Sequence, residues 1–177
     1  MGEWYDKVSV DPDDLLPLVE CIDFFNKELD TARYEVNITG SLEKASASLP
    51  GIVEHRFSQL QEIEAILELL NIRFKQVKGK VFRRYLEKYE RDLSSRDAEK
   101  FADTDDEVIQ IAMLVNQIAL VRNQYLAIHK ALELKGFQIS NITKLRCAGL
   151  EDVEIRPIYI SRKKNYSLPD KDATNID

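Results

Sequence analysis

Apolar side chains recur every seven residues through the middle of the chain. Two interleaved series are formed by Leu60, Leu67, Phe74 and Val81 and by Ile63, Leu70 and Val77. Side chains at this spacing line one side of an α-helix, so the pattern predicts a long helix with a coiled-coil-like seam. Leu49-Pro50-Gly51 predicts where it begins, because proline suits the first turn of a helix and is unfavourable inside one. The helix is expected to end near Leu93.

A second pattern of the same kind lies further along the chain. Its members are Ile111, Ile118, Tyr125 and Leu132, together with Leu114, Val121 and Ile128. Thr104 and Glu107 have the spacing of a capping box and predict the start of this helix. Gly136 after Lys135 predicts its end. Because residues 94–106 are polar, the two helices are expected to fold back on each other as an antiparallel hairpin.

Shorter segments flank the hairpin. Asp11 followed by Pro12 predicts a helix that extends to about Val36. Residues 37–41 predict a break, and residues 42–48 a short helical piece after it.

The predicted fold class is therefore all-α, with two long antiparallel amphipathic helices, an additional N-terminal helix and an irregular C-terminal tail. We expect a helical N-terminal extension at 1–48, the hairpin core at 49–150, and a tail at 151–177. The tail is expected to be partly disordered and partly extended, the extended part being residues 155–161.

Composition narrows the class of protein. The 177 residues are 44% hydrophobic and 32% charged, and they include only six Gly and five Pro, which disfavours a β-sandwich or barrel. The longest apolar runs are far shorter than the ~18 residues that span a bilayer, and MGEWYDKVSV does not resemble a signal peptide. We expect a cytoplasmic protein that makes no membrane contact. Cys21 and Cys147 are far apart in sequence; a disulfide between them is one interpretation, and two reduced thiols are the one we favour.

The sequence offers no clear constellation for catalysis. His55 and His129 lie on separate predicted helices, and no glycine-rich phosphate loop is present. The acids at 103–107 suggest either a divalent-metal site or, more simply, side chains that complement the dipole of the following helix. We favour the second interpretation. The prediction is a non-enzymatic protein with no catalytic residue, no metal and no cofactor.

Positive charge is concentrated in one segment of the first long helix. The stretch RFKQVKGKVFRRYLEK, residues 73–88, has seven Lys or Arg and one Glu, a charge of +6. Because the whole chain has a net charge of −6, the remaining residues sum to −12. Glu87 is the only acid in the segment, so its cations repel one another, and a bound anion would relieve that repulsion.

Two kinds of ligand fit this segment, and a solvated face without a ligand is a third interpretation. A nucleic acid would release counterions on binding, and an acidic protein surface would neutralise the same charges. The candidate nucleic-acid-binding residues are Lys75, Lys78, Lys80, Arg83 and Arg84. A weaker candidate is RPIYISRKKNY, residues 156–166, in which tyrosines suited to stacking on unpaired bases accompany Arg162, Lys163 and Lys164.

The first long helix is apolar over more than one narrow seam. Ile66, Leu69 and Ile72 widen the apolar surface. They are expected to pack on the N-terminal helix or on another subunit, and we favour a homo-oligomer.

The order of these parts resembles the UvsY family of phage recombination mediators. The similarity is strongest in DDEVIQIAMLVNQIALVRNQYLAIHKALELKGFQISNITKLR, residues 105–146. Its last part, ALELKGFQISNITKLR, is similar to the closing signature of the family's second helix. The resemblance covers residues 40–150. The sequence departs from the family at YLEKYERDLSS, where family members commonly have a turn with paired Tyr followed by Ser or Thr and Gly. It also departs in the segments before 40 and after 150.

The resemblance implies a ring-forming helical oligomer that binds single-stranded DNA in DNA recombination and repair. It implies that the protein helps a recombinase displace a single-strand-binding protein, and that it acts in the host cytoplasm if phage-encoded. DNA contacts would come from Lys and Arg within 75–84. The alternative function is a structural coiled-coil adaptor that docks an acidic protein through the same basic helix.

Overall fold

The structure is a computed structural model, and it describes residues 2–11, 14–88 and 94–150. Within these residues the chain forms five helices and no strand, so the all-α prediction is confirmed. The helices are α1 Glu3–Val10, α2 Leu16–Glu35, α3 Leu42–Lys88, α4 Ser95–Asp103 and α5 Asp106–Cys147. None of them has a stretch long and apolar enough to cross a membrane.

The two longest helices, α3 and α5, pack side by side. Arg84 near the end of α3 binds Asp105 at the start of α5. Leu49 near the start of α3 lies beside Gly136 in the last part of α5. Residue numbers therefore fall along α3 as they rise along α5. The helices are antiparallel, and the predicted hairpin is confirmed.

The predicted seams form the core of the hairpin. The side chains that are at most 2% exposed include Leu60, Ile63 and Leu70 of α3 and Ile118, Tyr125 and Leu132 of α5. Helix α2 covers this core. Its Phe25 ring meets the edge of Tyr125 at 5.7 Å between centroids, and the Tyr125 hydroxyl donates a hydrogen bond to the Phe25 carbonyl at 3.2 Å. The N-terminal segment therefore packs on the hairpin.

The predicted helix boundary at Pro50 is wrong, because α3 runs without interruption from Leu42 through the proline. Buried Ala45 and half-buried Leu49 and Ile52 continue the apolar side of the helix across this point. Pro50 itself is exposed, so water can satisfy the carbonyl that loses its helical partner. Burial of the apolar side outweighs the local cost of proline.

The predicted helix end at Gly136 is also wrong. Helix α5 continues to Cys147, and buried Lys135 and Ile139 extend its core side past the glycine. The end is marked instead by Gly149, which has φ +73°. Its N–H donates to the Arg146 carbonyl and the Leu150 N–H donates to the Leu145 carbonyl, both at 3.0 Å. This is the Schellman pattern, which satisfies the last carbonyls of a helix.

The polar connection at 94–106 contains a helix that the sequence patterns did not predict. Ser94 caps α4 by accepting a hydrogen bond from the Asp97 N–H at 3.2 Å. Ala98 and Ala102 of α4 are fully buried, and Ala102 shares a small apolar cluster with Val81 and Val108. This cluster closes the turn of the hairpin.

The predicted caps are shifted by a few residues. Asp105, and not Thr104, caps α5 by accepting from the Glu107 N–H at 3.1 Å. Helix α2 begins at Leu16, whose N–H donates to Asp14 at 2.9 Å, and the preceding residues 3–10 form the additional helix α1.

The predicted break at 37–41 is confirmed, with Gly40 at φ +72°. The tail at 151–177, including the predicted extended segment 155–161, lies outside the described residues, as do residues 89–93. Whether 1–48 is a separate domain stays a prediction.

Candidate nucleic-acid interface

Three of the five predicted residues lie together on the solvent side of α3. Lys75, Lys80 and Arg83 are exposed, on the side of the helix opposite buried Val81. At ~100° and ~1.5 Å per residue, they cover an arc of about 140° and extend about 12 Å along the axis. We call these three residues the exposed basic face.

The cations of this face are open to a ligand. Lys75 and Lys80 form no ion pair within the described part of the chain. Arg83 donates one hydrogen bond from Nε to the Gly79 carbonyl at 3.4 Å, one turn back along the helix. Gly79 lies between them, and a Cβ at this position would meet no heavy atom within 4 Å beyond its own stretch of helix. An extended ligand can therefore approach the helix backbone closely here.

The other two predicted residues bind carboxylates of the same chain. The Lys78 ammonium lies 2.6 Å from Asp103 and 4.0 Å from Glu99, both on α4. The hydrogen bond to Asp103 is the main cause that raises the pKa of Lys78. A charged, partly exposed pair of this kind contributes little stability, but it does occupy the cation.

Arg84 holds the start of α5. Its guanidinium lies 2.7 Å from Asp105 and 3.1 Å from Glu107, and its hydrogen bonds to Glu107 and Asp105 raise its pKa. Burial acts to raise the pKa of Asp105, but hydrogen bonds from the Glu107 N–H, Tyr85 and Arg84 outweigh it, and the pKa is lowered. Asp105 therefore caps the helix and pairs with Arg84 at once.

The acids at 103–107 are thus partners of the basic segment. Dipole complementarity is part of their role, since Asp105 caps α5, but Asp103, Asp105 and Glu107 also neutralise cations of α3. The repulsion expected within residues 73–88 is partly relieved inside the molecule. A run of acids soon after a run of bases was the available signal, because a hairpin brings the two runs together.

Sequence reasoning also missed a buried charged network between α2 and α3. Arg56 is 2% exposed and lies 2.8 Å from Glu28 and 2.7 Å from Glu35. Buried Lys135 donates to the Glu35 carbonyl at 2.7 Å, near the end of α2. These groups hold α2 on the hairpin. No periodic pattern marks a cation that faces the core, so the sequence carried no clear signal for them.

The acids, histidines and cysteines considered in the sequence do not form a metal site in the described part of the chain. Within 2–11, 14–88 and 94–150, no group of three or more His, Cys, Asp and Glu is arranged to hold a metal ion. His129 packs on Phe57 at 5.1 Å between ring centroids, and His55 is an exposed residue of α3. Burial raises the pKa of the Cys21 thiol to about 12, with a smaller effect of Glu62 in the same direction. The secondary candidates Arg162, Lys163 and Lys164 lie outside the described residues.

Comparison with known proteins returned no match to a family model, a curated protein or a solved structure. The resemblance to the UvsY family therefore depends on the residues quoted above.

Proposed function

We propose that the protein binds single-stranded DNA through the exposed basic face and acts as a recombination mediator without enzymatic activity of its own. The observation that carries the proposal is the position of Lys75, Lys80 and Arg83. They share one solvent-exposed side of α3 in a chain of net charge −6. Phosphates bound there would release counterions. The acidic remainder of the molecule would disfavour contact with polyanions elsewhere.

The mediator role rests on the resemblance of residues 105–146 to the UvsY family. The resemblance implies two protein partners, a recombinase and the single-strand-binding protein that the recombinase must replace. A mediator needs no catalytic group, which is consistent with a site made of cations alone. We place this activity in the cytoplasm, that of the host if the protein is encoded by a phage.

A homo-oligomer would strengthen such binding, because several basic faces on one particle act together. The outer side of α5 supports this part of the proposal. Met113, Leu120 and Leu134 are 60–62% exposed and separated by multiples of seven residues. Arg122, which pairs with Glu64 at 2.9 Å, is the only charged residue between Val108 and Ile128. Absence of charge is typical of the centre of an interface.

The first test is fluorescence anisotropy of a labelled oligothymidylate at several salt concentrations. The test variant combines Lys75→Gln, Lys80→Gln and Arg83→Gln. We expect it to lose most of the affinity and to reduce the slope of log K against log salt by about two, since each phosphate contact on a single strand contributes ~0.7.

The matched control combines Lys27→Gln, Lys44→Gln and Lys130→Gln, which are exposed lysines on other surfaces. Both variants lose three positive charges, so a general effect of net charge would weaken them equally. Equal loss would therefore contradict a local site. Binding that survives the test variant would move the site, with Arg162, Lys163 and Lys164 the next candidates.

The adaptor function has one observation in its favour, since Lys78 and Arg84 already bind carboxylates. The same proteins titrated with labelled polyglutamate separate the two functions. Binding of polyglutamate by a protein that ignores the oligonucleotide at low salt would reject the mediator and support the adaptor.

A further inference from the structure

Helix α4 contributes only small or half-exposed apolar side chains to its contact with α3. Its buried side chains are only Ala98 and Ala102. Its one large apolar side chain, Phe101, stays 41% exposed while its ring stacks on Tyr85 at 5.7 Å between centroids. A helix of nine residues is too short to be stable alone in water. Detachment of α4 therefore costs little free energy compared with unfolding of the hairpin.

The side of α4 that faces α3 carries the carboxylates that occupy Lys78. Asp103 lies 2.6 Å and Glu99 4.0 Å from its ammonium nitrogen. By helix geometry, Lys78 lies about 60° around the helix from Lys75, at the edge of the exposed basic face. A chain of phosphates bound to that face would bring negative charge close to Glu99 and Asp103. The carboxylates would then repel the bound strand while competing with it for Lys78.

We propose that α4 is a strap that occupies Lys78 in the free protein and is displaced when a single strand binds the exposed basic face. This inference rests on the proposed function. Phosphates replace the carboxylates on Lys78, so the binding surface grows from three cations to four. A ligand must reach both the exposed face and Lys78 to displace the strap. The device therefore favours a chain of several phosphates over a mononucleotide, which can occupy one cation at a time.

Hydrogen exchange of the full chain, with and without oligothymidylate, tests the displacement directly. We expect the amides of residues 95–103 to exchange faster in the complex, although binding usually slows exchange. Amides of α3 around Lys80 serve as the internal comparison, because they should be unchanged or protected. Unchanged or slower exchange of α4 in a complex that does form would overturn the strap and leave the proposed function intact.

Substitutions test the competition for Lys78. The variant Glu99→Gln with Asp103→Asn should bind the oligonucleotide about threefold more tightly than its control, the gain expected when an exposed ion pair no longer competes. The control is Glu20→Gln with Asp23→Asn, two exposed acids of α2. It brings the net charge to the same −4, from −6 by loss of two acids.

Addition of Lys78→Gln should abolish the gain, because the freed contact would then be missing. Equal affinity of the strap variant and its control would overturn the inference. A gain that persists without Lys78 would overturn it as well, since general repulsion by α4 would then be sufficient. Absence of binding by every variant, wild type included, would reject the proposed function and this inference with it.

Discussion

Among single residues, Arg56 shows most clearly how this fold places a charge where the sequence pattern expects none. Its side chain is 2% exposed, and the side chains of Glu28 and Glu35 around it are 31% and 23% exposed. The carboxylates keep some hydration, so the network avoids the full cost of burying three charges. No other side chain of similar length could bind both acids, because only a guanidinium presents a fork of hydrogen-bond donors.

Replacement of Arg56 should therefore be costly. We expect Arg56→Met to lower the free energy of unfolding by about 2 kcal/mol, because two acids lose their partner but can still be partly hydrated. Urea-induced unfolding followed by circular dichroism measures the change. The control is Arg33→Met, which removes an exposed pair with Asp30 at 2.8 Å and should cost less than about 0.5 kcal/mol. Equal losses would contradict a special role for Arg56.

The wild type and Arg56→Met should also differ in how their stability depends on pH. The hydrogen bond from Arg56 is the main cause that lowers the pKa of Glu28 below its usual 4.5. Its stabilising contribution is thus complete above pH 4.5 and is lost as the pH falls through the lower pKa of the folded state. The stability of the wild type should fall more steeply below pH 4.5 than that of Arg56→Met. If the stability of both proteins fell equally with pH, the ion pair with Arg56 would not be what lowers the pKa of Glu28.

At the scale of elements, both errors in helix boundaries have one physical cause. Pro50 and Gly136 are local signals of a helix end, yet α3 and α5 run past them. The antiparallel register places the first turns of α3 opposite the last turns of α5, as the approach of Leu49 to Gly136 shows. Each extension gives the other a surface to pack on. The sequence of neither helix alone shows that this surface exists. Burial against it outweighs the helix-propensity costs of Gly and Pro, which are about 1–3 kcal/mol.

Gly136 provides a test of this explanation. In a helix interior, Gly136→Ala should raise the free energy of unfolding by about 0.5–1 kcal/mol. The added Cβ would lie 3.4 Å from a methyl carbon of Leu49, an ordinary contact. The matched change Gly149→Ala should destabilise the protein, because φ is +73° there. Thermal unfolding compares the two. If Gly136→Ala destabilised the protein, the helix would end where the sequence pattern placed it.

At the scale of the whole molecule, the basic residues of the candidate site lie at one end of the hairpin, and an exposed apolar surface lies on another side. The exposed basic face, Lys78 and Arg84 cluster near the turn, where α4 and the start of α5 meet α3. The exposed apolar residues of α5 lie opposite its core seam. Under the proposed function, one molecule would bind an anion at the turn while its α5 side contacts another copy.

The proposed oligomer can be tested by replacing apolar residues on that side of α5. We expect Met113→Gln with Leu120→Gln to shift the protein toward monomers, because amides replace the uncovered apolar side chains at the proposed interface. Light scattering after size-exclusion chromatography measures the mass. The control is Leu16→Gln with Val19→Gln, exposed apolar residues of α2. A wild type that is already monomeric, or equal effects of both variants, would reject α5 as the interface.

Much of the fold was determined by the sequence itself. Periodic burial is a local property of the chain, so the seams of α3 and α5 from Leu60 to Val81 and from Ile111 to Leu132 predicted the core and the hairpin. The break at 37–41 could also be predicted locally, because Gly40 adopts its positive φ with no distant atom within 4 Å of its Cβ position. The basic segment was visible as composition, and Lys75, Lys80 and Arg83 are exposed on one side of the helix.

Only the tertiary structure decided which of the predicted cations remain open to a ligand. Lys78 and Arg84 have the same local surroundings in sequence as their neighbours, and they differ because α4 and the start of α5 fold against them. The burial of Arg56, the continuation of α5 past Gly136 and the small helix α4 have the same origin. Each depends on a surface supplied by a distant segment, and a local pattern contains no information about that surface.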